Sequence, residues 1–182
     1  MNRLIAATLL GGLAAGSLDI LYAFAAYGPL SYGLTPEQVL HSVAAGLVGR
    51  EAARAGGIGA AALGLGLHFL IATLMAAVFV LAAARLRWLT SHAVLWGLIY
   101  GFVLYVAMNY VVVPLSAAGA NGHFAASIAE ASARLGEAFS AIRPRQDPRF
   151  PWMLVATIGT HTLLVGVPIA LIAKHCRVGQ SA

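Results

Sequence analysis

Four long apolar stretches dominate the pattern of hydrophobic and polar positions along the chain. They cover residues 4–27, 58–84, 92–113 and 152–173. Each is long enough to form a helix across a hydrocarbon layer of about 30 Å, which takes about 20 residues. Their only acidic or basic side chain away from the ends is Asp19 in the first stretch. The pattern therefore predicts four transmembrane helices in a single membrane domain that comprises residues 1–182.

Two amphipathic stretches cover residues 36–49 and 123–142. The first lies between the first and second spans, and the second lies between the third and fourth spans. The first opens with a capping box, in which the Thr35 hydroxyl and the Gln38 amide cap each other's backbone N–H groups, and Pro36 suits the first turn. The second has an apolar stripe and a charged one, so both are predicted to lie along the membrane surface. The apolar stripe comprises Phe124, Ile128, Leu135, Phe139 and Ile142, and the charged stripe comprises Glu130, Arg134 and Glu137.

Two groups of residues recur along the chain at constant offsets. Gly12, Gly16 and Pro29-Leu30-Ser31 are matched 85 positions later by Gly97, Gly101 and Pro114-Leu115-Ser116. Gly66-Leu67-His68 is matched 93 positions later by Gly159-Thr160-His161. These repeats predict an all-α integral membrane protein built as two duplicated hairpins, each with a surface helix in its outer loop. The glycine pairs are small-xxx-small motifs, which are typical of helix packing in membranes.

Composition excludes several classes of protein and of functional site. The chain is 60% hydrophobic and 9% charged, whereas soluble domains have about 25% charged residues, so lipid must be the solvent for much of it. The net charge of +5 comes from residues that flank apolar runs rather than from one polar face, which argues against nucleic-acid binding. The single cysteine, Cys176, excludes an internal disulfide, and no phosphate loop, nucleotide fingerprint or metalloprotease motif is present. We therefore expect no catalytic activity.

The distribution of charge predicts the orientation. One side holds five basic residues in short segments and no acid, whereas the other has six basic and five acidic residues in two long loops. Because the positive-inside rule counts short segments near span ends, both termini are predicted to be cytoplasmic. The five basic residues are Arg3, Arg85, Arg87, Lys174 and Arg177.

The first apolar stretch has a second interpretation as a secretory signal peptide. Arg3 would then form its basic region and Ala23-Phe24-Ala25 its cleavage site. Asp19 would interrupt the apolar region of such a peptide, and the stretch matches the internal third span at its glycines and proline. These two observations favour a retained helix.

Four polar residues, one in each span, are candidates for intramembrane chemistry: Asp19, His68, Asn109 and His161. An ionised carboxylate at the centre of the bilayer costs about 2.5 kcal/mol or more, so Asp19 is predicted to point into the bundle. His68 and His161 are predicted at similar depths just outside the midplane. Three interpretations stay open: a structural hydrogen-bond set, a proton pathway, or ligation of haem b by His68 and His161. No metal site is predicted otherwise.

From His68 onward the chain resembles the YagU-like bacterial inner-membrane proteins. The matching residues are His68, Gly97 with Gly101, Asn109, Pro114-Leu115 and His161. The family can have histidine at the position of Asn109, so this chain departs from it there. The resemblance implies the multi-span fold and an inner-membrane location, and it implies no activity.

The absence of catalytic motifs favours an accessory or assembly subunit without catalytic activity, acting as a homodimer or within a larger membrane complex. The first alternative is a proton-coupled or small-solute transport module that uses Asp19, His68 and His161. The second is an electron carrier with haem b bound through His68 and His161.

Overall fold

The structure is a computed structural model and describes residues 3–119, 122–140, 147–176 and 178–179. All elements within these ranges are helical, and no strand occurs in them. Four helices are long and apolar enough to cross a membrane: Arg3–Tyr27, Gly57–Arg85, Ala93–Leu115 and Trp152–His175. The prediction of an all-helical chain with four long apolar helices is confirmed.

The described residues form ten α-helical elements, and two π-helical segments lie within the third and fourth long helices. The α-helices are α1 (Arg3–Tyr27), α2 (Pro36–Val48), α3 (Arg50–Ala55), α4 (Gly57–Arg85), α5 (Trp88–Ser91), α6 (Ala93–Ala107), α7 (Val113–Leu115), α8 (Ile128–Ser140), α9 (Trp152–Gly159) and α10 (Val167–His175). A π-helical segment over Met108–Val112 joins α6 to α7, and another over Thr160–Gly166 joins α9 to α10.

The start of α2 follows directly from its sequence. The Gln38 N–H donates to Thr35 Oγ1 at 3.3 Å, and the Thr35 N–H donates to Gln38 Oε1 at 2.9 Å, so the predicted capping box is confirmed. The helix stops at Gly49, which has a φ of 85°. Residues with side chains rarely adopt this backbone conformation. The charged residues that follow form the separate short helix α3 instead of a polar end of α2.

The helix α8 begins later than residue 123, where the amphipathic pattern placed its start. The Glu130 N–H donates to Ser127 Oγ at 3.1 Å, and the Ala126 N–H donates to Glu130 Oε2 at 2.8 Å, so Ser127 caps the helix. Phe124 therefore precedes the helix and does not belong to its apolar stripe. Ile142 lies outside the described residues. The predicted i,i+4 pair between Glu130 and Arg134 is present.

Both π-helical segments lie just before a proline, at Pro114 and Pro168. Proline has no N–H to donate, and in an α-helix its ring clashes with the carbonyl four residues earlier. These carbonyls belong to Tyr110 and Leu164, which both lie inside the π-helical segments. Local widening of the helix relieves this conflict while the helix continues. The sequence pattern predicts a bend at Pro168, but it predicts neither π-helical segment.

The chain divides into two compact units. The first comprises Met1–Tyr22, His68–Tyr105 and Ala156–Ala182, and the second comprises Ala23–Leu67 and Val106–Val155. The core of the first unit contains many small residues from several long helices, together with Phe79, Val80 and Ile169. The core of the second unit consists of alanines from α2, α3 and α4. Small side chains at these positions allow helix backbones to approach closely.

Candidate functional site

His68 on α4 is tied to the backbone of α1. Its Nε2 atom lies 2.8 Å from the carbonyl oxygen of Gly16. Because a carbonyl only accepts hydrogen bonds, Nε2 carries the proton and the neutral ring has its lone pair on Nδ1. The ring is partly buried and meets Phe69 edge to face, with 5.4 Å between ring centroids. The imidazole therefore joins two helices.

His161 lies in the second π-helical segment and bonds within its own helix. Its Nδ1 atom lies 2.9 Å from the carbonyl oxygen of Thr157, so the neutral ring has its lone pair on Nε2. The ring meets Tyr105 of α6 edge to face at 5.7 Å. The two histidines thus have opposite tautomers, although they occupy equivalent positions in the sequence repeat.

The hydroxyls of Thr160 and Thr162, which flank His161, also bond to backbone carbonyls four residues earlier in the chain. Thr160 Oγ1 donates to the Ala156 carbonyl at 2.8 Å, and Thr162 Oγ1 donates to the Ile158 carbonyl at 2.9 Å. In a π-helix the backbone N–H groups bond five residues back rather than four. Three consecutive side chains thus donate to carbonyls one α-helical turn earlier, which stabilises the widened segment.

Asp19 lies on α1 midway between two interhelical contacts. Gly16, three residues before it, accepts the bond from His68, and the hydroxyl of Tyr22, three residues after it, lies 3.5 Å from Thr157 Oγ1. At about 100° per residue, Asp19 points between the directions of these contacts, toward the space between α4 and α9. It is partly buried, and its carboxyl has no hydrogen bond or ion pair within the described ranges.

Asn109 is in a different setting from the other three predicted polar residues. It lies in the first π-helical segment, is exposed, and belongs to the second compact unit, whereas Asp19, His68 and His161 belong to the first. In the part of the chain that the structure describes, no group of three or more His, Cys, Asp or Glu side chains could hold a metal ion. Within the described residues, no hydrogen bond joins any two of Asp19, His68 and His161.

The predicted packing glycines lie where helices approach closely. A Cβ on Gly12 would lie 2.6 Å from Thr73 Cα, and one on Gly16 would lie 2.8 Å from Phe69 Cδ1. A Cβ on Gly97 would lie 2.9 Å from the Gly166 oxygen, and one on Gly101 would lie 2.6 Å from Thr162 Cα. Gly166 lies 93 positions after Thr73, and Thr162 lies 93 positions after Phe69. This is the same offset as that between His68 and His161. The same pairs of positions therefore meet in both halves of the sequence.

The imidazoles fit haem ligation unequally. His161 leaves Nε2 with a lone pair, whereas His68 uses Nε2 to donate to Gly16. Nε2 of His68 could bind iron only after that bond to α1 was broken. The two imidazoles thus offer one available nitrogen between them.

Tyrosine hydroxyls form two interhelical contacts that the sequence analysis did not predict. Tyr100 OH donates to the carbonyl oxygen of Met75 at 2.7 Å, which joins α6 to α4. The contact between Tyr22 and Thr157 joins α1 to α9. The only available signal was the presence of polar rings inside apolar stretches, which does not identify a partner.

Comparisons of the chain with protein-family models, with curated proteins and with solved structures found no match.

Proposed function

We propose that the chain is a four-span bacterial inner-membrane protein built from two duplicated hairpins. The first hairpin comprises α1 and α4, and the second comprises α6 with α7 and α9 with α10. Support comes from the glycine contacts, in which Gly12 and Gly16 meet α4 at positions equivalent to those where Gly97 and Gly101 meet the fourth span. An axis along the membrane normal would relate the hairpins, as in parallel-repeat transporters. The resemblance to YagU-like proteins supports this placement.

Within that membrane protein, we propose the role of a non-catalytic accessory or assembly subunit. The observation that carries the proposal is how the polar groups of the spans are used. His68, Tyr100 and His161 each bond to a backbone carbonyl. The bonds of His68 and Tyr100 join neighbouring helices, and that of His161 stays within its own helix. These polar groups thus serve helix structure and packing rather than a path of side chains across the bilayer.

The third span is the proposed surface for a second copy or for a larger partner. In its most hydrophobic stretch 11% of the residues are buried, against 28–33% in the other three spans. Large apolar side chains at Leu95, Ile99, Phe102 and Val103 are 43–54% exposed. Lipid covers apolar side chains without specificity, but this span has the fewest contacts that would hold it within a lone monomer.

Cysteine cross-linking in native membranes tests the accessory role. In a Cys176→Ser background, Val103→Cys is expected to form a disulfide-linked dimer or a cross-link to one partner. Leu74→Cys on α4 is the matched control, because its side chain is 57% exposed, similar to the 53% of Val103. Monomer alone in both variants, together with a monomeric mass in native gels, would contradict the proposal.

Asp19 supports one second candidate, a proton-coupled or small-solute transport module. Its carboxyl is partly buried between α4 and α9, and His68 and Tyr22 make contacts one turn away on either side. Intramembrane carboxylates of this kind commonly take part in proton relays. In proteoliposomes, this candidate predicts a pH-dependent flux that Asp19→Asn abolishes while the helical content is retained. A flux equal to that of protein-free liposomes would exclude it.

A further inference from the structure

A polar cleft in the second compact unit is independent of the intramembrane residues. It has a volume of about 880 Å³ and lies between α2, α3 and the residues that follow α7. Ligand pockets commonly have volumes of about 300–1,000 Å³, so the cleft is large enough for a small molecule. Its polar side chains include Glu37, Gln38 and Ser42 on α2, and Arg50 and Arg54 on α3.

One guanidinium of the cleft is held in place by the backbone. Arg50 donates from Nε and Nη2 to the carbonyl oxygen of Ala118, at 3.1 Å and 2.7 Å. A guanidinium has five N–H groups, so the Nη1 amino group and the second hydrogen of Nη2 are left for a ligand. The two hydrogen bonds to the Ala118 oxygen fix the plane of the guanidinium. Arg50 is therefore preorganised to bind an oxyanion.

Arg54 lies four residues after Arg50 and lines the same cleft. Like charges at this spacing destabilise a helix, and an anion placed between them removes the repulsion. Neither arginine forms an ion pair with a carboxylate within the described ranges. A tetrahedral phosphate has enough oxygens to accept from both guanidiniums.

Glu37 supplies the opposite charge on the α2 side of the cleft. Its Oε1 atom lies 3.7 Å from His41 Nε2, which in turn lies 2.8 Å from the Gly57 carbonyl oxygen. The carboxylate of Glu37 is about half exposed and is not paired with Arg50 or Arg54. The cleft therefore presents positive and negative groups that stay apart, which suits a ligand with both an anionic and a cationic end.

We propose that this cleft binds a phosphate ester that also carries an ammonium group. Arg50 and Arg54 bind the phosphate, and Glu37 binds the ammonium. This chemistry occurs in the headgroup of phosphatidylethanolamine and in soluble O-phosphoethanolamine. Val113, near the end of the third long helix, also lines the cleft.

Calorimetry on the full-length protein in detergent tests this proposal. It measures the binding of two probes, O-phosphoethanolamine and inorganic phosphate. We expect Arg54→Gln to weaken O-phosphoethanolamine binding about tenfold or more, because a charged hydrogen bond is lost. Arg85→Gln is the control, since it removes an equal charge from an exposed position that does not line the cleft. Glu37→Gln should weaken binding of the ester but not of inorganic phosphate.

A second arm distinguishes the two sources of the ligand. If the headgroup is the ligand, protein in nanodiscs retains phosphatidylethanolamine over phosphatidylglycerol, and Glu37→Gln loses this preference because it removes the partner of the ammonium group. If the ligand is a solute, the soluble ester binds to protein in detergent. The proposal is overturned if the wild type binds neither, or if Arg54→Gln and Arg85→Gln have equal effects. Circular dichroism of each variant checks that it is folded.

Discussion

The Nε2 atom of His68 and the carbonyl oxygen of Gly16 lie 2.8 Å apart, across the interface between α4 and α1. The glycine allows this contact, because a side chain at position 16 would collide with Phe69. Thus one glycine both brings the two helices close together and accepts the hydrogen bond of the imidazole. The equivalent histidine, His161, bonds to Thr157 in its own helix and leaves Gly101 to pack against backbone.

Replacement of His68 by alanine should reduce stability only slightly. An interhelical hydrogen bond in a membrane contributes about 0.6 kcal/mol on average and about 1.7 kcal/mol at most. Unfolding in mixed micelles, followed by circular dichroism, measures the change in free energy. His92→Ala serves as the control, because His92 is exposed and its side chain bonds, among the described residues, only to the adjacent Ser91. A loss of several kcal/mol in His68→Ala would show that the ring does more than bridge two helices.

Two glycines of the second hairpin should respond in opposite directions to alanine. A Cβ on Gly101 would meet the His161 carbonyl oxygen and lie 2.6 Å from Thr162 Cα, so Gly101→Ala should destabilise by about 1–3 kcal/mol. Gly159→Ala meets nothing within 4 Å and should stabilise by up to about 1 kcal/mol, because alanine favours helix. The same unfolding measurement compares them. Equal effects in the two variants would contradict the close approach at Gly101.

Asp147 and Arg149 form an ion pair outside the spans that should titrate at low pH. Arg149 Nη2 lies 2.6 Å from Asp147 Oδ2, and Tyr32 OH donates to the same oxygen at 3.1 Å. These bonds hold the pKa of Asp147 well below its usual range, and the side-chain bond from Arg149 contributes most to this shift. A carboxylate with a lowered pKa stabilises the folded state above its unfolded pKa of about 3.9, and this contribution is lost as the pH falls toward the folded pKa.

Arg149→Gln should therefore raise the pKa of Asp147 and flatten the dependence of stability on pH below about 4. The shift should be partial, since the backbone N–H of residue 149 still donates to Asp147 Oδ1. Carboxyl NMR titration measures the pKa directly. Tyr32→Phe removes a weaker contribution and should cause a smaller rise. An unchanged pKa in Arg149→Gln would contradict the assigned cause.

Local chemistry explains what the sequence predicted well. The capping box at Thr35 and Gln38 involves residues three positions apart, so the pattern alone identifies it. The four long helices follow from runs of apolar residues, which are likewise continuous in sequence. The pattern predicts a helix from residue 123, whereas α8 begins at Ile128 because Ser127 caps it. Apolar periodicity identifies the buried face of a helix but not its first residue, which the cap determines.

Partners across helices could not be read from the sequence. The periodicity of α1 places Gly16, Asp19 and Tyr22 on one face, but it does not say that His68 bonds to Gly16 or that Tyr22 meets Thr157. The π-helical segments have a local cause in Pro114 and Pro168, yet proline also permits a kink or a helix end. Only the continuation of the helix beyond each proline distinguishes these outcomes.

Thiol labelling of intact bacterial cells tests the central claim, a four-span protein of two hairpins with both termini inside. A membrane-impermeant maleimide is applied to the wild type, with its single Cys176, and to a Ser42→Cys variant in a Cys176→Ser background. Ser42 is exposed on α2, which lies between α1 and α4 in the chain and which our proposal places outside the membrane. We predict that Ser42→Cys reacts in intact cells and that Cys176 reacts only after permeabilisation. Labelling of Cys176 in intact cells would contradict the account.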